Sequence, residues 1–340
     1  MKALKFSGIV VVLAAAWALA LPAPLSAQGY PNKSVRVVVP FAPGGATDIQ
    51  ARVISKELGE QFGQSFVVDN RAGASGMIGA EAVVSSPADG YTILFTTAAL
   101  AINATLSKST LKFDPVKDLA PVIWTSSTPL VLIVHPGVAA KSAEGRIEHP
   151  SVPARTPKEL IELARKNPTR LNVALTVSGS TSHMAAEMFR QLAGISFTNV
   201  PYKGGAPAML AMVSGEVDFL FAEALLAMPQ IKAGKVRALA VTTVKPSPAF
   251  PDLPTLNALL PGFVADNWFA IYAPAGTPKE IVATLNTAIR KALETQAVRA
   301  LFEQDALISV GSTPEELGAQ LKRETDRYAE VIRKGNITAQ

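Results

Sequence analysis

The residues most able to do chemistry in this sequence sit in three glycine- and serine-rich turns. The first is Pro40-Phe41-Ala42-Pro43-Gly44-Gly45-Ala46-Thr47-Asp48, the second Asn70-Arg71-Ala72-Gly73-Ala74-Ser75-Gly76, and the third Ser178-Gly179-Ser180-Thr181-Ser182-His183. Each falls between a short apolar run and a segment of helical period. Adjacent glycines let a backbone approach a ligand closely, and a helix start offers amides without intrahelical partners, so such turns favour anions. Each turn also has a plain structural use, as a strand-to-helix connection or as N-capping by Ser180 or Thr181. A fourth turn, Val200-Pro201-Tyr202-Lys203-Gly204-Gly205, brings a ring and hydroxyl at Tyr202 and a cation at Lys203.

Other chemistries fit poorly. The first turn lacks the Gly-Lys-Ser/Thr of a P-loop, and no G-x-G-x-x-G occurs. Ser182 beside His183 raises a serine hydrolase as a rival, but the local pattern is not G-x-S-x-G and no orienting third group is evident. Replacing both residues separates the two readings, since only a hydrolase has turnover to lose. The three histidines, His135, His149 and His183, have no metal-ligand spacing. No catalytic residue, metal or cofactor is expected.

These turns need strands and helices to aim them. Near-continuous apolar runs predict strands at 35–41, 66–69, 91–96, 129–134, 171–175, 217–221, 236–242 and 268–272. Their alternation with helical segments predicts α/β layers with mainly parallel sheets. Thr156-Pro157-Lys158-Glu159, Thr277-Pro278-Lys279-Glu280 and Thr313-Pro314-Glu315-Glu316 each have Thr at the N-cap, Pro at N1 and Glu at N3. The last two predict long helices over about 278–304 and 314–334, the second stopped by Gly335. Trp268 and Phe269 read as core. The Pro-rich stretch 245–261 reads as a connector. An imperfect repeat, HPGVAAKS (135–142) and HPSVPART (149–156), reads as a small tandem insertion making a surface loop.

The 340 residues suit two domains. Lys2 and Lys5, the uncharged run 9–21 and Leu25-Ser26-Ala27 predict a signal peptide over 1–27 and export to the periplasm. The absence of cysteine excludes disulfides, thiolate chemistry and a lipidated-cysteine anchor. With Lys2 and Lys5 removed, 30 basic residues against 27 acidic ones leave a net charge of +3, dispersed along the chain. That suits an anionic ligand, and nucleic acid is not indicated.

Seven segments in a fixed order resemble the Bug-type periplasmic receptors of tripartite tricarboxylate transporters. They are VVVPFAPGGATD (37–48), DNRAGASGMIGA (69–80), PADGYTIL (87–94), SGSTSHMAAEMF (178–189), VPYKGGAPAML (200–210), IKAGKVRALAVT (231–242) and WFAIYAPAGTP (268–278). The resemblance implies a two-lobed Venus-flytrap binding protein, type II-like. One lobe would hold residues 28–125 and 249–340, and the other 126–248. It implies a receptor that captures a small carboxylate and delivers it to membrane permease subunits, or alternatively instructs a periplasmic sensor. A monomer is expected. The ligand-binding positions it implies are Phe41, Ala42, Gly44, Gly45, Asp48, Ser178, Ser180, Thr181, Ser182, Tyr202 and Ala222. Relatives often carry Phe-Asp-Asn where this chain has Phe221-Ala222-Glu223, and Ser where it has Leu226. Ala99-Leu100 replaces a polar pair, and Val177 a Gly. An aromatic or aliphatic monocarboxylate is therefore expected, with a small dicarboxylate as the alternative.

Overall fold

The computed structural model describes residues 29–136 and 152–338, so the signal peptide and most of the 135–156 repeat lie outside the described residues. The chain divides into two units, 1–32 and 33–340, and all the strands and helices named below belong to the second.

Val-rich β1 (Val35–Val39) is buried on both faces because it is an interior strand, parallel to β2 (Phe66–Asn70) on one side and β3 (Thr92–Thr97) on the other. β10 (Asn267–Pro274) pairs antiparallel with β3 and with β4 (Leu119–Thr128), and two-residue β11 (Ile308–Ser309) closes the edge. The order is β11-β4-β10-β3-β1-β2. The second sheet runs β7-β6-β8-β5-β9, from β5 (Leu130–Val134), β6 (Asn172–Leu175), β7 (Thr198–Pro201), β8 (Phe219–Glu223) and β9 (Arg237–Val241). Here β6 is parallel to β7 and β8, while β5 is antiparallel to β8 and β9.

Both sheets are therefore mixed, with four strands of each running the same way, as the strand–helix alternation suggested, and the rest reversed. The reversed strands are β5, β10 and the two-residue β11; β5 and β10 follow passages of the chain from one sheet to the other and enter their sheets from the opposite direction. The first passage falls at Pro129, since Thr128 still pairs with Asn267 while Leu130 pairs with Glu223. The return comes just ahead of Asn267. Ala249, Phe250 and Leu253 pack with the second sheet's core, and Phe263 stacks on Phe221. Residues 249–263 thus pack with the second sheet.

The helices are α1 (Ala46–Phe62), α2 (Met77–Val84), α3 (Ala99–Leu106), α4 (Pro157–Lys166), α5 (Thr181–Ala193), α6 (Gly205–Ser214), α7 (Ala224–Lys232), α8 (Leu256–Leu259), α9 (Lys279–Leu293), α10 (Gln296–Gln304) and α11 (Pro314–Gly335). The expected 278–304 helix is two helices, broken where Thr295 caps α10 through the Val298 amide. Thr313 makes the full capping box and Thr156 caps α4. Thr277 does not cap; its hydroxyl donates to the Pro274 carbonyl. Gly335 continues α11, and Asn336 takes the left-handed conformation that ends it.

Trp268 and Phe269 are core, as expected. The repeat departs from a simple surface loop at its end, where Val152 and Ala154 are buried and the Ala154 carbonyl accepts from Arg237. One apolar cluster runs from Val38, Leu94 and Tyr272 of the first sheet to Leu132, Phe219 and Phe221 of the second, with Tyr328, Val331 and Ile332 of α11 between them.

Candidate functional site

The ends of β1, β2 and β3 share one edge of the first sheet because these strands are parallel, and the ends of β6, β7 and β8 share one edge of the second. Every one of these ends leads to a helix start. The two edges meet. Ser75 Oγ donates to the Ser178 carbonyl at 2.8 Å, and Asn103 Nδ2 donates to the Gly179 carbonyl at 3.1 Å. The approach at Gly179 is close enough that an added Cβ would lie 2.8 Å from Asn103 Oδ1, and its φ is +74°. Only glycine sits there without strain.

In the first turn, Gly44 and Gly45 are exposed and Asp48 is buried. The Asp48 carboxylate accepts from the Gly44 amide (2.9 Å), Asn70 Nδ2 (2.9 Å) and Arg52. Asn70 also donates to the Phe41 carbonyl. Burial pushes the Asp48 carboxyl up, but the bonds from Arg52, Gly44 and Asn70 outweigh it and hold it below 3.8. Asp48 is therefore a brace for the turn, and the Gly44 amide is spent on it. The amides of Ala46 and Thr47, in the first turn of α1, have no intrahelical partner and stay available. Gly76 packs so near the Phe41 ring that a Cβ there would lie 3.3 Å from Cζ, which joins the first turn to the second.

The third turn opens α5. Ser180 Oγ accepts from the His183 amide and pairs with Thr176, so Ser180 is the N-cap. Thr181 Oγ1 donates to Asn267 Oδ1 at 3.3 Å. Ser182 Oγ is buried and has no hydrogen-bond partner among the described residues, and the α5 amides of Thr181 and Ser182 begin the helix without intrahelical partners. His183 Nδ1 accepts from the Gly179 amide, and burial lowers its pKa with Glu187 opposing, so the ring is neutral at pH 7. With Ser182 unpaired and His183 committed to Gly179, the Ser–His contact a hydrolase needs is not made.

Two expected positions are engaged elsewhere. The Tyr202 hydroxyl donates to Glu216 Oε1 at 2.8 Å, and burial with that bond raises it to about 12. The Ala222 side chain is fully buried in the cluster beneath α6 and α7. Four residues went unassigned by sequence reasoning: Ser75, Asn103, Asn267 and Glu223. Ser75 lay in a quoted turn, but only the fold shows Ala74 and Ser75 both at positive φ, 45° and 54°, aiming the hydroxyl at the Ser178 carbonyl. Asn267 Nδ2 donates to Glu223 Oε1 at 2.8 Å, and burial raises the Glu223 pKa, the Asn267 bond opposing. Among the described residues no helix is long and apolar enough to cross a membrane.

The model of the tripartite tricarboxylate transporter family receptor matches residues 50–337. The chain belongs to this family. Its members are periplasmic solute-binding receptors, not enzymes. Protein BugT of Bordetella pertussis is 35% identical over 317 residues, which cover 92% of this chain and 93% of BugT. Among solved structures, R. palustris Rpa4515 with adipate has a TM-score of 0.79 and 35% identity, covering 91% of this chain and 99% of that one. The periplasmic binding protein BugD gives 0.78 and 31%, over 92% and 100%. MatC from Rhodopseudomonas palustris with bound malate gives 0.77 and 30%, over 89% and 100%. The two-lobed binding-protein fold is thus shared along nearly the whole chain.

Proposed function

We propose that this receptor captures a small carboxylate between the two sheet edges and passes it to membrane permease subunits. The meeting of Ser75 with the Ser178 carbonyl carries this reading, because it brings the starts of α1, α2 and α5 towards one gap. Free amides at Ala46, Thr47, Thr181 and Ser182, with the Ser182 hydroxyl, supply donors to a carboxylate, and the helix dipoles favour its charge. A ligand touching both edges binds the closed form better and shifts the population towards it.

The rest of the ligand is apolar or aromatic. Leu100 and Leu226 stand where polar groups are frequent in this type of receptor and Val177 where a Gly is, and Leu226 packs 2.5 Å from where a Gly205 Cβ would lie. The exported chain, its first 27 residues removed, acts as a monomer. Calorimetry against a panel of carboxylic acids, with mass spectrometry of ligand retained through native purification, tests this. An aromatic or aliphatic acid is expected; retention of citrate or aspartate with no response to aromatic acids rejects the preference.

A further inference from the structure

We propose that His183 is a positioning residue of the carboxylate site, fixing the peptide group by which one sheet edge grips the other. The proposal rests on the carboxylate-receptor reading above.

The Ser178 carbonyl and the Gly179 amide are the two ends of a single planar peptide group. Ser75 of the opposite edge donates to the carbonyl end at 2.8 Å, and His183 Nδ1 accepts from the amide end at 3.1 Å. The plane is thus held from both ends, and rotating it would break both bonds. Rotation is open to this peptide because Gly179, at φ +74°, lacks the Cβ that restricts other residues. The next carbonyl, that of Gly179, accepts from Asn103 and completes the grip.

The helix places His183 for this role. It is the third residue after the N-cap Ser180, whose hydroxyl accepts from the His183 amide. At that position a capping box uses Glu or Gln to reach back to the cap, as Glu316 does at Thr313. Here a buried imidazole reaches one residue further back, to Gly179. It does so without setting a negative charge at the turn whose amides are offered to an anion. An accepting Nδ1 leaves the proton on Nε2, which faces Glu187 Oε1 at 3.9 Å. That carboxylate is itself held by Arg190 and Asn199. Burial disfavours the charged ring, so the acceptor persists at neutral pH. A turn fixed before the ligand arrives has less ordering entropy to lose on binding.

NMR and calorimetry on the exported chain freed of retained ligand test this, with benzoate, hexanoate and adipate as probes. The proteins are wild type, His183→Gln, His183→Leu and His183→Phe. Nitrogen spectra of the wild-type ring are expected to show Nδ1 bare and Nε2 protonated, with slow hydrogen exchange at the Gly179 amide. His183→Leu and His183→Phe offer no acceptor. In both, Gly179 exchange should quicken and affinity for the best-bound probe should fall roughly tenfold, the equivalent of one net hydrogen bond. The middle of α5 should exchange as in wild type. His183→Gln keeps a neutral acceptor and should restore exchange and affinity to within about threefold of wild type. A proton on Nδ1 overturns the proposal, as does wild-type affinity in the acceptor-free variants, or a His183→Gln protein as weak as they are. Two acceptor-free variants guard against one misfolding; if neither folds, the wild-type tautomer and the His183→Gln affinity decide. If no probe binds even the wild type, the carboxylate reading itself falls and the proposal with it, whereas unaltered binding in His183→Leu sinks the proposal alone.

Discussion

At Asp48, burial opposes ionisation while Arg52, the Gly44 amide and Asn70 favour it, and the donors prevail. A carboxylate depressed in the fold contributes stability above its unfolded value near 3.8, and that contribution is lost as pH falls through the folded value. Asp48→Ala should cost about 2 kcal/mol at pH 7, since it strands the Gly44 and Asn70 donors. In urea titrations the gap from wild type should close below pH 4. Glu223 has the opposite sign. Its folded pKa is raised above 4.5, so its stability is fully present below that value and is lost as pH rises through the folded one. Glu223→Gln should therefore melt above wild type at pH 8 and level with it at pH 4, as scanning calorimetry would show.

The capping threonines separate sequence pattern from structural use. Thr313 both accepts from the Glu316 amide and has its own amide bonded to the Glu316 carboxylate, whereas Thr277 satisfies the Pro274 carbonyl before its helix begins. Thr313→Ala should lower stability by about 1 kcal/mol. Thr277→Ala should leave the start of α9 intact, so hydrogen exchange there should match wild type, while exchange at the start of α11 quickens in Thr313→Ala. That helix matters beyond its own length. Its Tyr328, Val331 and Ile332 pack into the cluster that joins the two sheets, and Gln191 of α5 donates to the Val331 carbonyl.

Across the molecule, the closure proposed above depends on how near the two edges can come. Gly179 stands at their tightest approach, against Asn103 and Leu106, with a backbone conformation that disfavours any side chain. Gly179→Ala should wedge the edges apart. The expected outcome is at least a tenfold loss of carboxylate affinity, with a solution-scattering radius that no longer contracts when ligand is added. Unchanged affinity and a normal contraction would show that the Gly179 approach is irrelevant to binding.

The sequence by itself determined most of the elements and where the glycine- and serine-rich turns between them fall. Valine-rich runs place β1 and β5, the Thr-Pro-x-Glu pattern places α4 and α11, and glycine with serine places the exposed turns, because each depends on backbone sterics and neighbours within a few residues. Tertiary structure alone decided strand direction, since β5 and β10 reverse the pairing only by arriving from the other sheet. It also decided which polar groups are spent. Asp48 and Tyr202 look alike in the sequence as candidates for a ligand, yet one braces a turn and the other is tied to Glu216. Asn267 and Glu223 carry no local signature. They matter because segments 44 residues apart in the chain meet through a 2.8 Å hydrogen bond, and such proximity is a property of packing that no short stretch of sequence encodes.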